Sequence, residues 1–151
     1  MNETIRRAVA SDAAALNAIV HGSASHKGEY SPMLEGYAVD ADQIARDEIH
    51  LAEEDGRTLG FYSLMLGETP ELDLLFVDDA AQGRGLGRIL MDHMRALAAT
   101  RCVMSVKIVS HPPAADFYRR MGAIDAGLAY PLGRVTWVRP IFMLPISPPS
   151  G

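Results

Sequence analysis

Cysteine is nearly absent. The 151 residues contain one, Cys102, so no intrachain disulfide can form, and a cysteine-based zinc site would lack its partners. Cys102 stands in the apolar run Cys102-Val103-Met104-Ser105-Val106, a setting that predicts a buried core thiol. Long apolar runs are missing as well. No stretch approaches the length of a membrane-spanning helix, and Met1 to Arg7 leads into no segment resembling a signal peptide, so the expected location is the cytoplasm. Positive charge is in deficit, with 14 Lys and Arg against 19 Asp and Glu and a formal net charge of -5. A general nucleic-acid coat would want the opposite balance. No spacing of His, Cys, Asp and Glu suggests a metal cofactor. What is present is ordinary for a folded chain: 48% hydrophobic and 22% charged residues. These values exclude whole-chain disorder, and the length suits one core.

The pattern along the chain alternates between strand and helix. Thr4–Val9 reads as a first strand, and Ser11-Asp12 as the cap of a helix with Leu16, Ile19 and Val20 on one face. Residues 21–37 are rich in Gly, Ser, His and Tyr without a period, which predicts a loop. Asp40–Ile49 reads as a short helix. His50–Glu54 and Arg57–Leu66 form a hairpin around Glu54-Asp55-Gly56, and Glu71–Val77 is a further strand. Gly85–Thr100 is the strongest helix: Leu86, Ile89, Leu90, His93, Met94 and Leu97 recur at the spacing of one buried stripe. On that stripe His93 reads as a core or interface histidine. Cys102–Val109 is an interior strand, Pro113–Met121 a short helix, and Ala123–Tyr130 and Thr136–Leu144 the last strands. The fold class is therefore mixed α/β (an α+β mixed sheet), in the order β-α-α-β-β-β-α-β-α-β-β. Residues 1–144 are expected to form a single domain and 145–151 a Pro-rich C-terminal tail.

One segment carries chemistry. The strand Leu72–Val77 runs through Asp78-Asp79-Ala80-Ala81 into Gln82-Gly83-Arg84-Gly85-Leu86-Gly87 and then a helix. Gly83, Gly85 and Gly87 let a backbone approach a ligand without obstruction by a Cβ. The free N–H groups and positive dipole end of a helix's first turn favour a phosphate. Four arginines (Arg84, Arg88, Arg95, Arg101) and one acid (Asp92) lie between Gln82 and Arg101. Arg84 and Arg88, closest to the turn, are the expected phosphate contacts. The turn is not a P-loop, because Arg88 and Ile89 follow Gly87 in place of Lys and Ser or Thr. It is not the dinucleotide fingerprint either, because its spacing is G-x-G-x-G.

Gln82 to Gly87 resembles the Q/R-x-x-G-x-G/A acyl-CoA loop of the GNAT superfamily of N-acetyltransferases. Leu75-Phe76-Val77 resembles that family's central strand. His111-Pro112-Pro113-Ala114-Ala115-Asp116-Phe117-Tyr118-Arg119-Arg120-Met121-Gly122-Ala123 is similar to its N-x-x-A-x-x-F-Y-x-x-x-G-F/A segment, with His111 in place of the common asparagine. The resemblance implies acetyl-CoA as co-substrate and an amine as acceptor. It implies that the loop holds the cofactor's pyrophosphate and that backbone groups of Leu75, Phe76 and Val77 pair with pantetheine. His111 would contact the pantetheine arm, and Ala114 and Phe117 would belong to the same cofactor surface.

The resemblance implies Tyr118 as the acid that protonates the leaving thiolate. A phenol with a pKa of about 10 can protonate a thiolate of about 8.5 at modest cost. A base must also free the amine. Strand alternation puts Glu71, Asp73, Leu75 and Val77 on one face. Glu71 falls where the histone-acetyltransferase branch has its glutamate, and Asp73, one pleat nearer the thioester, is the rival. His21, His26, Lys27, Glu29 and Tyr30 are candidates for a lid over the acceptor. The implied reaction is direct attack in a ternary complex on a small-molecule or protein amine, with a homodimer possible. The alternative is a non-catalytic acyl-CoA-binding or regulatory module on the same fold.

Overall fold

The computed structural model describes residues 3–23, 37–133 and 135–148. Seven strands form one sheet: β1 (Thr4–Arg7), β2 (Glu48–Glu54), β3 (Arg57–Met65), β4 (Glu71–Val77), β5 (Ser105–Val109), β6 (Ile124–Ala129) and β7 (Arg139–Pro145). Their spatial order is β1-β2-β3-β4-β5-β7-β6. Only β4 and β5 run parallel; every other neighbouring pair is antiparallel. Helices α1 (Ala13–Gly22) and α2 (Ala41–Arg46) cover one face, while α3 (Leu86–Thr100) and α4 (Ala115–Arg120) cover the other. No helix among the described residues is long and apolar enough to cross a membrane.

Each face has its own core. Leu16, Ile19 and Val20 of α1 pack with Ile44, Ile49, Leu51, Phe61 and Phe76. On the opposite side Leu86, Leu90, Met91, Met94 and Ala98 of α3 pack on Tyr62, Leu64, Leu72, Val106 and Ile108. Leu90, Met91 and Met94 are fully buried, each contributing about 1.5–3 kcal/mol over an exposed side chain. The buried stripe of α3 is rotated from the expected one: Met91 and Ala98 lie in it, while Ile89 and Leu97 flank it. Gly60 permits this close layering, since a Cβ there would stand 3.3 Å from Leu90 Cδ1 of α3 and 2.7 Å from the carbonyl oxygen of Phe76 in the next strand.

Two expectations are corrected at the far end of α3. Cys102 is exposed, not buried, because the helix ends in a turn in which Cys102 takes a φ of 60°. Strand β5 therefore starts at Ser105. The final strand is shifted along the chain from the expected Thr136–Leu144, starting at Arg139 and ending at Pro145. Pro145 lies within β7, and the Ile146 N–H donates to the Met104 carbonyl at 3.0 Å. Of the expected tail, residues 149–151 lie outside the described residues.

His93 belongs to a polar network beneath α3. The Tyr62 hydroxyl and His93 Nδ1 share a hydrogen bond of 2.8 Å, and the rings of His50 and His93 lie 5.0 Å apart. His50 Nε2 meets Glu48 Oε1 at 3.1 Å. Burial, then the neighbouring His50, pull the His93 pKa down. Burial, and then the charge of Glu48, push the Tyr62 phenol well up.

Candidate active site

Strand β4 is bound very differently along its two edges. On one side six register pairs join it to β3, from Gly60↔Val77 to Met65↔Glu71. On the other a single pair, Glu71↔Lys107, joins it to β5, helped by the Lys107 N–H bonding to Pro70 O at 2.9 Å. Beyond that closure the two strands separate. A cavity of about 550 Å³ occupies the gap, lined by Leu72 to Val77 on one side and by Val109 and His111 on the other. Parallel strands that part in this way leave N–H and C=O groups without a strand partner. Such an edge accepts an extended ligand as an added strand.

The β3–β4 ladder also slips by one residue. Ser63 faces Leu74 and Leu64 faces Leu72, so Asp73 is an extra, unpaired residue in β4. A bulge of this kind breaks strict alternation. The expected common face of Glu71, Asp73, Leu75 and Val77 is thereby lost. Leu72, Leu75 and Val77 pack beneath α3, and Leu74 and Phe76 pack on the α1 and α2 side. Asp73 turns toward α2, where Gln43 Nε2 donates to its Oδ2 at 3.3 Å. Asp73 lines the cavity and Glu71 does not. Although Asp73 keeps contact with solvent at the cleft mouth, the surrounding protein mass desolvates its carboxylate. That burial, then the charges of Glu71 and Asp47, push its pKa up against the pull of Arg46.

The glycine turn forms the next wall. Asp78 accepts from the Ala80 N–H through its side chain and starts a short turn of 3-10 helix. Gly83 and Gly85 then take φ values of 82° and 75°, left-handed geometry that other residues adopt at a cost. The first intrahelical bond of α3 runs from the Ile89 N–H to Gly85 O. The N–H groups of Leu86, Gly87 and Arg88 are therefore free of helical partners, and all three residues line the cavity with Gln82, Gly83 and Gly85. Gln82 is anchored by a bond from Nε2 to Val77 O at 3.1 Å. Gly87 sits against α4: a Cβ there would stand 3.3 Å from the ring of Phe117. Arg84 is placed differently from the expectation. Its guanidinium pairs with Glu54 at 2.9 Å, and it is not part of the cavity wall.

Helix α4 closes the cleft. His111, Ala114, Phe117 and Tyr118 all line it, so the second motif and the glycine turn converge on one cavity. Tyr118 is 7% exposed, and burial pushes its phenol well above the ordinary range. Its ring meets Phe117 edge-on at 5.4 Å. Ser23, Leu72, Leu74, Val109 and Arg120 also line the cavity without having been singled out from sequence. Arg120 was within reach, being one helical turn beyond Phe117 of the same motif. Of the lid candidates, His21 meets the Tyr37 carbonyl through Nε2 at 2.6 Å. His26, Lys27, Glu29 and Tyr30 lie outside the described residues. Cys102 sits at the opposite end of α3 from the glycine turn, about 20 Å away along a helix rising 1.5 Å per residue.

A seven-stranded mixed sheet parted between β4 and β5, with a glycine turn feeding a helix at the gap, is an acyltransferase architecture. A family model for the acetyltransferase (GNAT) domain matches residues 45–122, and the chain belongs to that family. The 5-NmdU N-acetyltransferase of Pseudomonas phage PaMx11 is 35% identical over 82 residues, covering 52% of this chain. The match spans 59% of that relative's length. Among solved structures, the ribosomal-protein-S18-alanine N-acetyltransferase of Escherichia coli superposes with a TM-score of 0.75 at 20% identity, covering 99% of this chain and 97% of that one. The PaiA N-acetyltransferase of Thermoplasma acidophilum, in complex with coenzyme A, gives 0.72 at 14% identity, covering 96% and 99%. At these identities the structural likeness establishes the fold, and mixed α/β with the expected element order is what it establishes.

Proposed function

We propose that this protein transfers the acetyl group of acetyl-CoA to a primary amine by direct attack in a ternary complex. The observation that carries this reading is the parting of β4 from β5 beside the glycine turn, with Tyr118 and Asp73 lining the same cavity. The residues present suit CoA. The first-turn N–H groups of α3 offer donors to a diphosphate. A Cβ at Gly87 would press on the Phe117 ring at 3.3 Å, so the glycine lets the cradle and α4 approach closely. The unpaired edge of β4 suits the pantetheine amides.

Acetyl-CoA, when bound, supplies a thioester whose carbonyl carbon is attacked by the amine as the C–S bond breaks. The chain's residues would manage the protons. Asp73, its pKa raised by burial, takes the proton from the incoming ammonium, directly or through water. Burial keeps Tyr118 protonated and makes it a weaker acid than a free phenol, so its proton would pass to sulfur only as the C–S bond breaks and charge builds there, and the second proton shed by the amine nitrogen as the amide forms would restore the phenol. A backbone N–H of β4 near Leu75 would steady the oxyanion. Between the two acids of β4, Asp73 is favoured as the base because it lines the cavity and Glu71 stands at the strand closure. Cys102, at the far end of α3, takes no part.

The acceptor end carries the Asp73 carboxylate with Glu71 nearby and the Arg46–Asp47 ion pair beside it, and the carboxylate suits a cationic amine. The phage relative makes 5-NmdU one acceptor to include beside small polyamines and peptide N-termini. Free-thiol release from acetyl-CoA across such a panel tests the reading. Turnover with at least one amine, lost in Tyr118→Phe, is expected. Tight CoA binding with no turnover on any amine would favour the non-catalytic acyl-CoA-binding module instead.

A further inference from the structure

Eight of the described arginines hold a carboxylate in an ion pair. They include three of the four that lie between Gln82 and Arg101: Arg84 on Glu54, Arg95 on Asp92 and Arg101 on Glu48. The basic stretch of the sequence is therefore mostly neutralised within the fold. Arg88 and Arg120 are the arginines that line the cavity, and neither has a carboxylate partner among the described residues.

Helical spacing makes this omission specific. Arg88 stands four residues before Asp92, and Arg120 four residues after Asp116, the separation at which a helical ion pair ordinarily forms. In both helices that acid is held by another arginine. Asp92 pairs with Arg95 at 3.8 Å, and Asp116 pairs with Arg119 at 3.0 Å. Arg119 is further engaged by Asp125 at 3.2 Å and by the ring of Phe142, 5.3 Å from its guanidinium carbon. Arg120 has none of these contacts. Arg139, the other described arginine without an ion pair, does not line the cavity, whereas Arg88 and Arg120 flank one contact. Arg88 follows Gly87, against which Phe117 packs, and Arg120 lies on the Phe117 face of α4 one turn on. Both are exposed on the wall of the same cavity, where an anion would be attracted to both.

From this we infer a second anion subsite, a clamp of Arg88 and Arg120 that takes the ribose 3′-phosphate of coenzyme A. The inference rests on the acetyl-CoA reading above. The diphosphate is provided for by the backbone donors of the glycine turn, whereas a phosphomonoester carries nearly two charges at neutral pH and calls for side-chain cations. Guanidinium forks match its oxygens bidentately. The clamp makes this protein selective for coenzyme A over dephospho-coenzyme A.

Isothermal titration of the intact protein with each of these two ligands tests the clamp without any acceptor. The wild type binds coenzyme A more tightly than dephospho-coenzyme A. Arg120→Gln and Arg88→Gln each weaken coenzyme A by about tenfold and leave dephospho-coenzyme A within about twofold. Arg120→Lys recovers part of the loss, because it keeps the charge and gives up the fork. Equal losses on both ligands would assign the arginines to the diphosphate, and no loss on either would remove them from the site. Either result overturns the clamp while leaving the acetyl-CoA reading intact. Failure of the wild type to bind either ligand would overturn both.

Discussion

The two sides of β4 are built from different materials. Toward α3 and α4 the site is made of backbone: glycines at positive φ, first-turn N–H groups and an unpaired strand edge. Toward α2 it is made of side chains, with Asp73 held by Gln43 and faced by Asp47 and Glu71. Backbone donors recognise groups common to every acyl-CoA and tolerate sequence drift. Carboxylates and their spacing recognise one amine among many. The difference teaches that, on the proposed function, cofactor and acceptor recognition are separable, with the bulge at Asp73 between them.

The hardest test of that separation lies where the two sides meet. Tyr118→Phe should lower kcat by about 100-fold or more while acetyl-CoA KM stays within about twofold, in steady-state thiol-release assays. A matching rise in KM would make Tyr118 a packing residue of the cofactor side. Asp73→Asn should cost about 10- to 100-fold at neutral pH. In the wild type, burial and then Glu71 and Asp47 hold the Asp73 pKa above the ordinary aspartate value. Activity should therefore fall with acidification at a higher pH than an unperturbed aspartate would give, and Asp73→Asn should erase that limb.

On the cofactor side, Gly87→Val forces a side chain against Phe117. It should raise acetyl-CoA KM by about tenfold, roughly 1.4 kcal/mol, with amine KM unchanged; coupled changes would break the proposed division. The smallest effect is one of stability. His93 has its pKa lowered from 6.5 by burial and then by His50, so the unfolded chain binds the extra proton more readily. The contribution is complete above about pH 6.5 and is lost as pH falls below it, with a slope under about 1.4 kcal/mol per pH unit. Thermal midpoints across that window should decline on acidification, and His93→Gln should flatten the decline.

The cofactor side was legible from sequence because its signals are local. Gly83, Gly85 and Gly87 lie within five residues, and the helical stripe that follows is contiguous. The second motif could be read for the same reason, and Phe117 and Tyr118 reach the cavity as expected. The acceptor side was less legible. Alternation put Asp73 on the Leu75 face, and a bulge that depends on pairing with Ser63 and Leu64 turned it to α2. Gln43 carries no motif, and its role exists only because α2 packs beside β4. Arg84 illustrates the same limit: its proximity to the turn was plain, but Glu54, 30 residues away, claims it. Cys102 read as core because its neighbours are apolar, yet the end of α3 leaves it exposed.

By itself, the sequence determined the element order, the glycine turn, the helix it feeds and Tyr118, since each depends on residues within a turn or two of one another. Tertiary structure decided how β4 parts from β5, which acid enters the cleft and which arginines remain unpaired. Those outcomes are set by strand register and by competition among distant charges, and neither is encoded in any short stretch of chain.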